Sequence, residues 1–176
     1  MSEDASAPDL RIEPLSGLHD RVAFSCGVES LDRYLHTQAG QDVRRKANGV
    51  FVLVEALRPG PILGYYTLCA TALSPSDVPD AVRKHLPRYP LVSATLIGRL
   101  AVARGRQGQR LGAVLLADAM RRALASADTV GSSMVVVDAI DERAAGFYRA
   151  HGLLQLPQSP RLILPMSVIS RLDART

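Results

Sequence analysis

Residues 97–115 read Ile-Gly-Arg-Leu-Ala-Val-Ala-Arg-Gly-Arg-Gln-Gly-Gln-Arg-Leu-Gly-Ala-Val-Leu, and they constrain the fold more than any other stretch of the 176-residue chain. An apolar, strand-like run from Leu96 to Val102 ends in a loop dense in arginine and glycine. The loop opens a helical pattern with apolar Leu111, Val114, Leu115 and Met120. Strand, basic glycine loop and helix together make an anion-binding layout. A helix N-terminus offers unpaired N–H groups and a partial positive charge, and glycine lets the backbone approach a phosphate. No acidic residue lies between Ser93 and Leu116, while Arg99, Arg104, Arg106 and Arg110 surround the loop. A phosphorylated cofactor is expected here.

The rest of the chain sets the frame. Its length fits one domain with a real core. A hydrophobic share of 47% with 22% charged residues excludes a disordered chain. No run of about 18 apolar residues occurs, so no membrane span is expected. The N-terminus, Met-Ser-Glu-Asp-Ala-Ser-Ala-Pro, is polar and lacks the apolar centre of a signal peptide. Residues 1–9 are read as a flexible N-terminus and residues 10–176 as a single domain. Cys26 and Cys69 follow no disulfide or metal spacing and sit among apolar neighbours, so both are expected as buried thiols in a reducing cytoplasm. His19, His36, His85 and His151 share no metal spacing; surface or capping roles are expected, with no bound metal.

Hydrophobic periodicity orders the elements. A first strand is expected over 10–15. A helix over 29–46 places Leu31, Tyr34, Leu35, Ala39 and Val43 on one face and ends in Arg44, Arg45 and Lys46, cations that suit a helix C-terminus. Two strands, 50–57 and 62–73, join at Arg58-Pro59-Gly60-Pro61. The second carries Tyr65-Tyr66, expected to be half core; a ring facing an acceptor groove is the lesser alternative. Pro79 starts a short helix in a proline-rich connection. A strand over 94–102, a helix over 109–126, a buried strand over 134–139 and a helix over 141–150 follow, with Asp141 as N-cap and Gly152 as stop. Two short strands close the chain, and Ser167 is expected to cap a last helix. Such alternation predicts an α/β (α+β) fold, with a twisted, mixed but mostly antiparallel sheet flanked by helices.

The loop lacks Gly-Lys-Ser/Thr, so it is no Walker A sequence, and the dinucleotide pattern G-x-G-x-x-G is absent. What remains is Gln107-Gly108-Gln109-Arg110-Leu111-Gly112. It resembles motif A of the GNAT family of N-acetyltransferases, R/Q-x-x-G-x-G/A, with Arg110 at the first glycine position. Arginine fits there if its φ stays negative. Asp138-Ala-Ile-Asp-Glu-Arg-Ala-Ala-Gly-Phe147-Tyr148-Arg-Ala-His-Gly-Leu resembles the family's motif B, with Leu153 replacing a phenylalanine. Phe-Ser-Cys-Gly-Val-Glu-Ser-Leu-Asp-Arg-Tyr-Leu, Leu-Gly-Tyr-Tyr-Thr-Leu, Leu-Pro-Arg-Tyr-Pro and Leu-Ile-Leu-Pro-Met are similar to one subgroup, the acetyltransferase toxins of type II toxin–antitoxin pairs. The resemblance covers roughly residues 10–172.

The resemblance implies a GNAT-like single domain that uses acetyl-CoA to acetylate the α-amine of aminoacyl-tRNA. It implies a ribbon-helix-helix antitoxin and a homodimer. The backbone of Leu100, Ala101 and Val102 would hold the pantetheine arm. Arg106, Gln107, Gly108, Gln109, Arg110, Leu111, Gly112 and Ala113 would hold the pyrophosphate, with Phe147 alongside. Tyr148 matches the general acid that protonates the coenzyme A sulfur. Asp138, Asp141 and Glu142 lie near motif B, but each has a simple strand-end or helix-start role, so no general base stands out. A free α-amine, with a pKa near 7.7–8.0, is partly neutral at physiological pH and needs little help. Arg44, Arg45, Lys46 and Arg99 are candidate tRNA contacts. Two other readings stand beside this one: acetylation of a small amine or a protein N-terminus, and a non-catalytic acetyl-CoA-binding module.

Overall fold

The computed structural model describes residues 7–176. Residues 1–6 of the expected flexible N-terminus lie outside the described residues, and 7–9 are irregular and exposed. Seven strands form one sheet in the order β1-β2-β3-β4-β5-β7-β6. They are β1 (Leu10–Pro14), β2 (Gly49–Glu55), β3 (Gly64–Leu73), β4 (Val92–Val102), β5 (Met134–Asp138), β6 (Leu154–Gln155) and β7 (Arg161–Pro165). β1 runs antiparallel to β2, and β7 runs antiparallel to both β5 and β6. β4 and β5 are parallel, the pairing that needs a helical crossover. α4 (Leu111–Val130) supplies it. The mostly antiparallel sheet and its helices agree with the sequence-derived class.

The chain divides into two compact units, one of residues up to Tyr66 with Arg99–Leu115, the other of Thr67–Gly98 with Leu116–Thr176. In the first, the helical stretch α1 (Glu29–Arg33), a π-turn (Tyr34–Gln38) and α2 (Ala39–Arg44) covers β2 and β3. Leu31, Tyr34, Leu35 and Ala39 are buried and Val43 packs on the edge of the same cluster, as the period required. The π-turn was not legible as such. Tyr65 and Tyr66 are both wholly buried, so the pair is core throughout rather than half core, and the alternative of a ring in a groove is excluded. The Tyr65 hydroxyl donates to the Leu31 carbonyl at 2.7 Å, and Tyr66 stacks on Phe51 with centroids 5.2 Å apart. His19 is no surface residue either. It is buried, accepts from the Ser16 backbone N–H at 3.0 Å, and meets Glu13 at 2.7 Å. That hydrogen bond holds the Glu13 carboxyl below its usual range.

In the second unit, Met134, Val135, Val136 and Val137 are fully buried, the continuous apolar run of a parallel neighbour's strand. Met134 and Val136 build its core with Leu73, Val78, Val92, Ala94, Leu156 and Ile163. α3 is brief (Asp80–Arg83) and Pro79 is its N-cap, where a missing N–H does no harm. α4 runs four residues beyond its expected end, and its buried face is Leu115, Leu116, Ala119 and Ala123, while Val114 is exposed. Cys69 is half-buried rather than buried; Cys26 is buried as expected. Pro165, not Ser167, precedes α6 (Met166–Asp173) as its N-cap, and Ser167 lies inside the first turn. No helix among the described residues is long and apolar enough to cross a membrane.

Candidate active site

The β4–β5 register pairs Ala94 with Met134 through Ile97 with Val137. β4 then continues for Gly98–Val102, past the end of that ladder, so these peptide groups are not spent on pairing with β5. Ala101 is buried, while Leu100 and Val102 are partly exposed. Gly64 of β3 backs this segment. A Cβ built there would come within 2.9 Å of the Ala101 carbonyl oxygen and 2.9 Å of Leu115 Cδ1, so only glycine lets the two strands approach this closely.

The loop after β4 is pinned at its base and open at its tip. Ala103 N–H donates to the Leu63 carbonyl and Arg104 N–H to the Ser25 carbonyl, at 2.8 and 2.9 Å. The Gln107 amide donates to the carbonyls of Cys26 (2.9 Å) and Val102 (3.1 Å). Gln107 therefore holds the loop through its side chain. Arg106 pairs with Glu55, so its charge is already partly spent. Gln107, Gly108, Gln109 and Arg110 are exposed, and α4 begins at Leu111 with no acidic residue in its first turn. The N–H groups of Leu111, Gly112 and Ala113 lack intrahelical acceptors. Basic loop, open backbone and helix N-terminus thus fit a pyrophosphate.

Arg110 overturns one expectation. Its φ is +61°, not negative, and Gly108 stands at +80°. The chain bends through the left-handed region where the family prefers glycine, and arginine bears a steric cost of about 1–2 kcal/mol there. Arg110→Gly is expected to raise unfolding free energy by up to about 1 kcal/mol, read from the denaturant midpoint at unchanged slope.

In the second unit, α5 (Glu142–Ala150) carries Tyr148. The Asp141 carboxylate accepts from Ala144 N–H at 2.8 Å as the N-cap, and Gly152 at φ +91° ends the turn after the helix. Leu153 is buried and its N–H donates to the Tyr148 carbonyl at 3.2 Å, so leucine fills the phenylalanine position without loss of packing. The Tyr148 ring is buried edge-on against Phe147. Burial alone pushes its hydroxyl up to about 12, which keeps the proton on the phenol at physiological pH. The three carboxylates near motif B are all engaged. Asp138 accepts twice from Arg161, at 2.8 and 3.1 Å, Asp141 caps the helix, and Glu142 pairs with Arg149. No group of three or more metal-ligating side chains exists among the described residues.

Arg44 ends α2, Arg45 is its C-cap and Lys46 follows at φ +57°, all exposed and without ion pairs among the described residues. Arg99 is placed differently. Its guanidinium carbon sits 3.6 Å from the centroid of the Tyr34 ring. The Tyr34 hydroxyl donates to Asp42 at 2.8 Å, and Asn48 and Gln38 also donate to Asp42, at 2.8 and 3.0 Å. Sequence reasoning missed Tyr34, Asp42 and Gly64. Gly64 stood in a quoted segment, but nothing local marked it as a contact with β4.

A tRNA-acetylating toxin of Mycobacterium tuberculosis is 35% identical over 134 residues, 76% of this chain and 78% of that protein. The chain belongs to the GNAT-type tRNA-acetylating toxins. A probable TacT toxin of Sinorhizobium fredii is 29% identical over 92% of the chain and 93% of its own length. No family profile matches the chain. Among solved structures, the toxin AtaT complexed with acetyl-methionyl-tRNAfMet superposes with a TM-score of 0.86 at 32% identity, covering 94% of this chain and 99% of the other. These relatives place the expected GNAT fold and acetyl-CoA chemistry on firm ground.

Proposed function

We propose that this protein is an acetyl-CoA-dependent N-acetyltransferase that acetylates the α-amine of aminoacyl-tRNA and so acts as a toxin that blocks translation. The observation that carries it is a Tyr148 buried at the motif B position in a chain 35% identical to a tRNA-acetylating toxin. Residues 10–176 act as one N-acetyltransferase domain. The Leu100–Val102 backbone holds the pantetheine arm. Gly108–Ala113 hold the pyrophosphate through backbone N–H groups, with Arg106, Arg110 and the pinned Gln107 shaping the loop and Phe147 packing beside Tyr148. Acetyl-CoA supplies the acetyl group as an activated thioester. A backbone N–H of the β4 end polarises the carbonyl, as an oxyanion hole does. Tyr148 holds the proton that the departing sulfur takes as the acceptor nitrogen bonds to the acetyl carbon. The amine's own surplus proton passes to solvent, since the nearby carboxylates are committed elsewhere, and the Tyr148 phenolate regains a proton from solvent before the next turnover.

Arg44, Arg45 and Lys46 contact tRNA phosphates, a reading their exposure and lack of ion partners support. The partner is an antitoxin of ribbon-helix-helix type, supported by a relative, AtaT with a tyrosine-to-phenylalanine change, bound to the C-terminus of its antitoxin AtaR and acetyl-CoA (TM-score 0.78, 30% identity, covering 94% and 98% of the two chains). The toxin works as a cytoplasmic homodimer. The test is direct. Protein incubated with acetyl-CoA and total charged tRNA should yield acetyl-aminoacyl-tRNA, and its expression alone should arrest growth. Untouched tRNA with acetylated small amines or peptide N-termini would favour the ordinary acetyltransferase instead.

A further inference from the structure

We infer that Arg99, clamped on the Tyr34 ring by the Tyr34–Asp42 hydrogen bond, is the site that grips the phosphodiester of the acceptor end next to the reacting aminoacyl ester. This inference rests on the function proposed above and assigns one substrate contact within it.

Three observations converge. First, Arg99 immediately precedes Leu100, so its backbone is one residue from the peptide groups assigned to the pantetheine arm. In an aminoacyl-tRNA the ester is carried on the ribose whose own phosphodiester lies only a few bonds away. A group that grips that phosphate must therefore sit beside the thioester site. Second, Arg99 is partly exposed, and among the described residues no carboxylate lies within ion-pairing distance of it. Stacking at 3.6 Å occupies the face of the guanidinium and leaves its N–H edges free, the geometry in which arginine takes phosphate oxygens two at a time.

Third, the support is built for the purpose. Ala39 N–H donates to the Tyr34 carbonyl, five residues back, which defines the π-turn. In an uninterrupted α-helix, eight residues turn about 800°, leaving Asp42 about 80° around the helix from Tyr34. The π-turn absorbs one residue, so the two side chains stand about two turns apart on nearly the same face. Asp42 can then accept from Tyr34 at 2.8 Å while Asn48 and Gln38 fix its carboxylate from other directions. Tyr34 and Asp42 act through Arg99 and are positioning residues. The Asp42 charge lies close enough to feel Arg99, though no ion pair joins the two among the described residues.

The same phosphate chemistry occurs in coenzyme A, and kinetics separate the two sources. Steady-state rates of the full chain are measured with acetyl-CoA and charged tRNA for wild type, Arg99→Gln, Tyr34→Phe and Tyr34→Leu. Arg99→Gln and Tyr34→Leu are expected to raise KM for charged tRNA about tenfold or more, with kcat and KM for acetyl-CoA within about twofold. Tyr34→Phe, which keeps the ring under Arg99 but loses the hydrogen bond to Asp42, should fall between wild type and Tyr34→Leu. The slope of log affinity for tRNA against log salt should become shallower by about 0.7–0.9 in Arg99→Gln, the release of one phosphate contact. If KM for acetyl-CoA rises instead, or neither KM moves, the inference is overturned while the proposed function stands. A wild-type protein that leaves charged tRNA unacetylated overturns both. Should Tyr34→Leu melt early, Arg99→Gln decides alone, because it changes only a partly exposed side chain.

Discussion

Tyr148→Phe should slow acetyl transfer by about 10²–10⁴-fold in kcat while leaving acetyl-CoA affinity and the melting temperature close to wild type. The substitution removes one hydroxyl and keeps the ring that packs against Phe147. No hydrogen bond ties that hydroxyl to another group among the described residues, so its loss leaves no partner stranded. Activity should therefore fall with no accompanying loss of stability. The wild-type pH profile carries a second signature. With the phenol pushed up to about 12, no descending limb should appear across the ordinary assay range, and the rate should rise as the acceptor amine loses its proton. A descending limb near neutrality, or a phenylalanine variant with full turnover, would assign the proton to another group. Expressed in cells, the same variant should lose its growth arrest.

Gly64→Ala should also lower activity, by a different route. The added Cβ would meet the Ala101 carbonyl oxygen and Leu115 Cδ1 at 2.9 Å. The leucine terminus can swing aside, but the carbonyl belongs to backbone and must move with β4. Overpacking of this kind costs about 1–3 kcal/mol. The strain falls on the residues assigned to the pantetheine arm, so acetyl-CoA affinity should drop about tenfold or more, read by calorimetry, beyond any change in the folded fraction. Unchanged affinity together with reduced stability would confine Gly64 to packing.

Much of this could be read before any coordinates. The run Leu96–Val102 and the arginine–glycine loop were legible because strand, loop and helix each carry their own local signal. So were the Asp141 cap and the Gly152 stop, which depend on neighbours three or four residues away. What was missed depends on how the folded chain encloses or bends a residue, which no local pattern announces. The Tyr65-Tyr66 pair looked half exposed because alternation predicts one outward face, yet Phe51 covers that face. His19 looked superficial until Glu13 enclosed it. Arg110 looked confined to negative φ by its side chain, but the turn into α4 imposes the left-handed conformation regardless. The stacking of Arg99 on Tyr34 was out of reach, because no local rule ties a strand residue to a helix tyrosine 65 positions earlier.

The π-turn carries a consequence for recognising relatives of this chain. It makes a tyrosine–aspartate spacing of eight equivalent to a spacing of seven in a plain α-helix. A homologue lacking one residue between Tyr34 and Gln38 would keep the same pairing only if its helix ran without the widened turn. Deleting one residue here in company with that straightening should thus be silent, whereas deleting one residue between Ala39 and Asp42 should swing the carboxylate by about 100° and abolish the clamp. Alignments that score this segment column by column would count the first change as a gap and miss that nothing had moved.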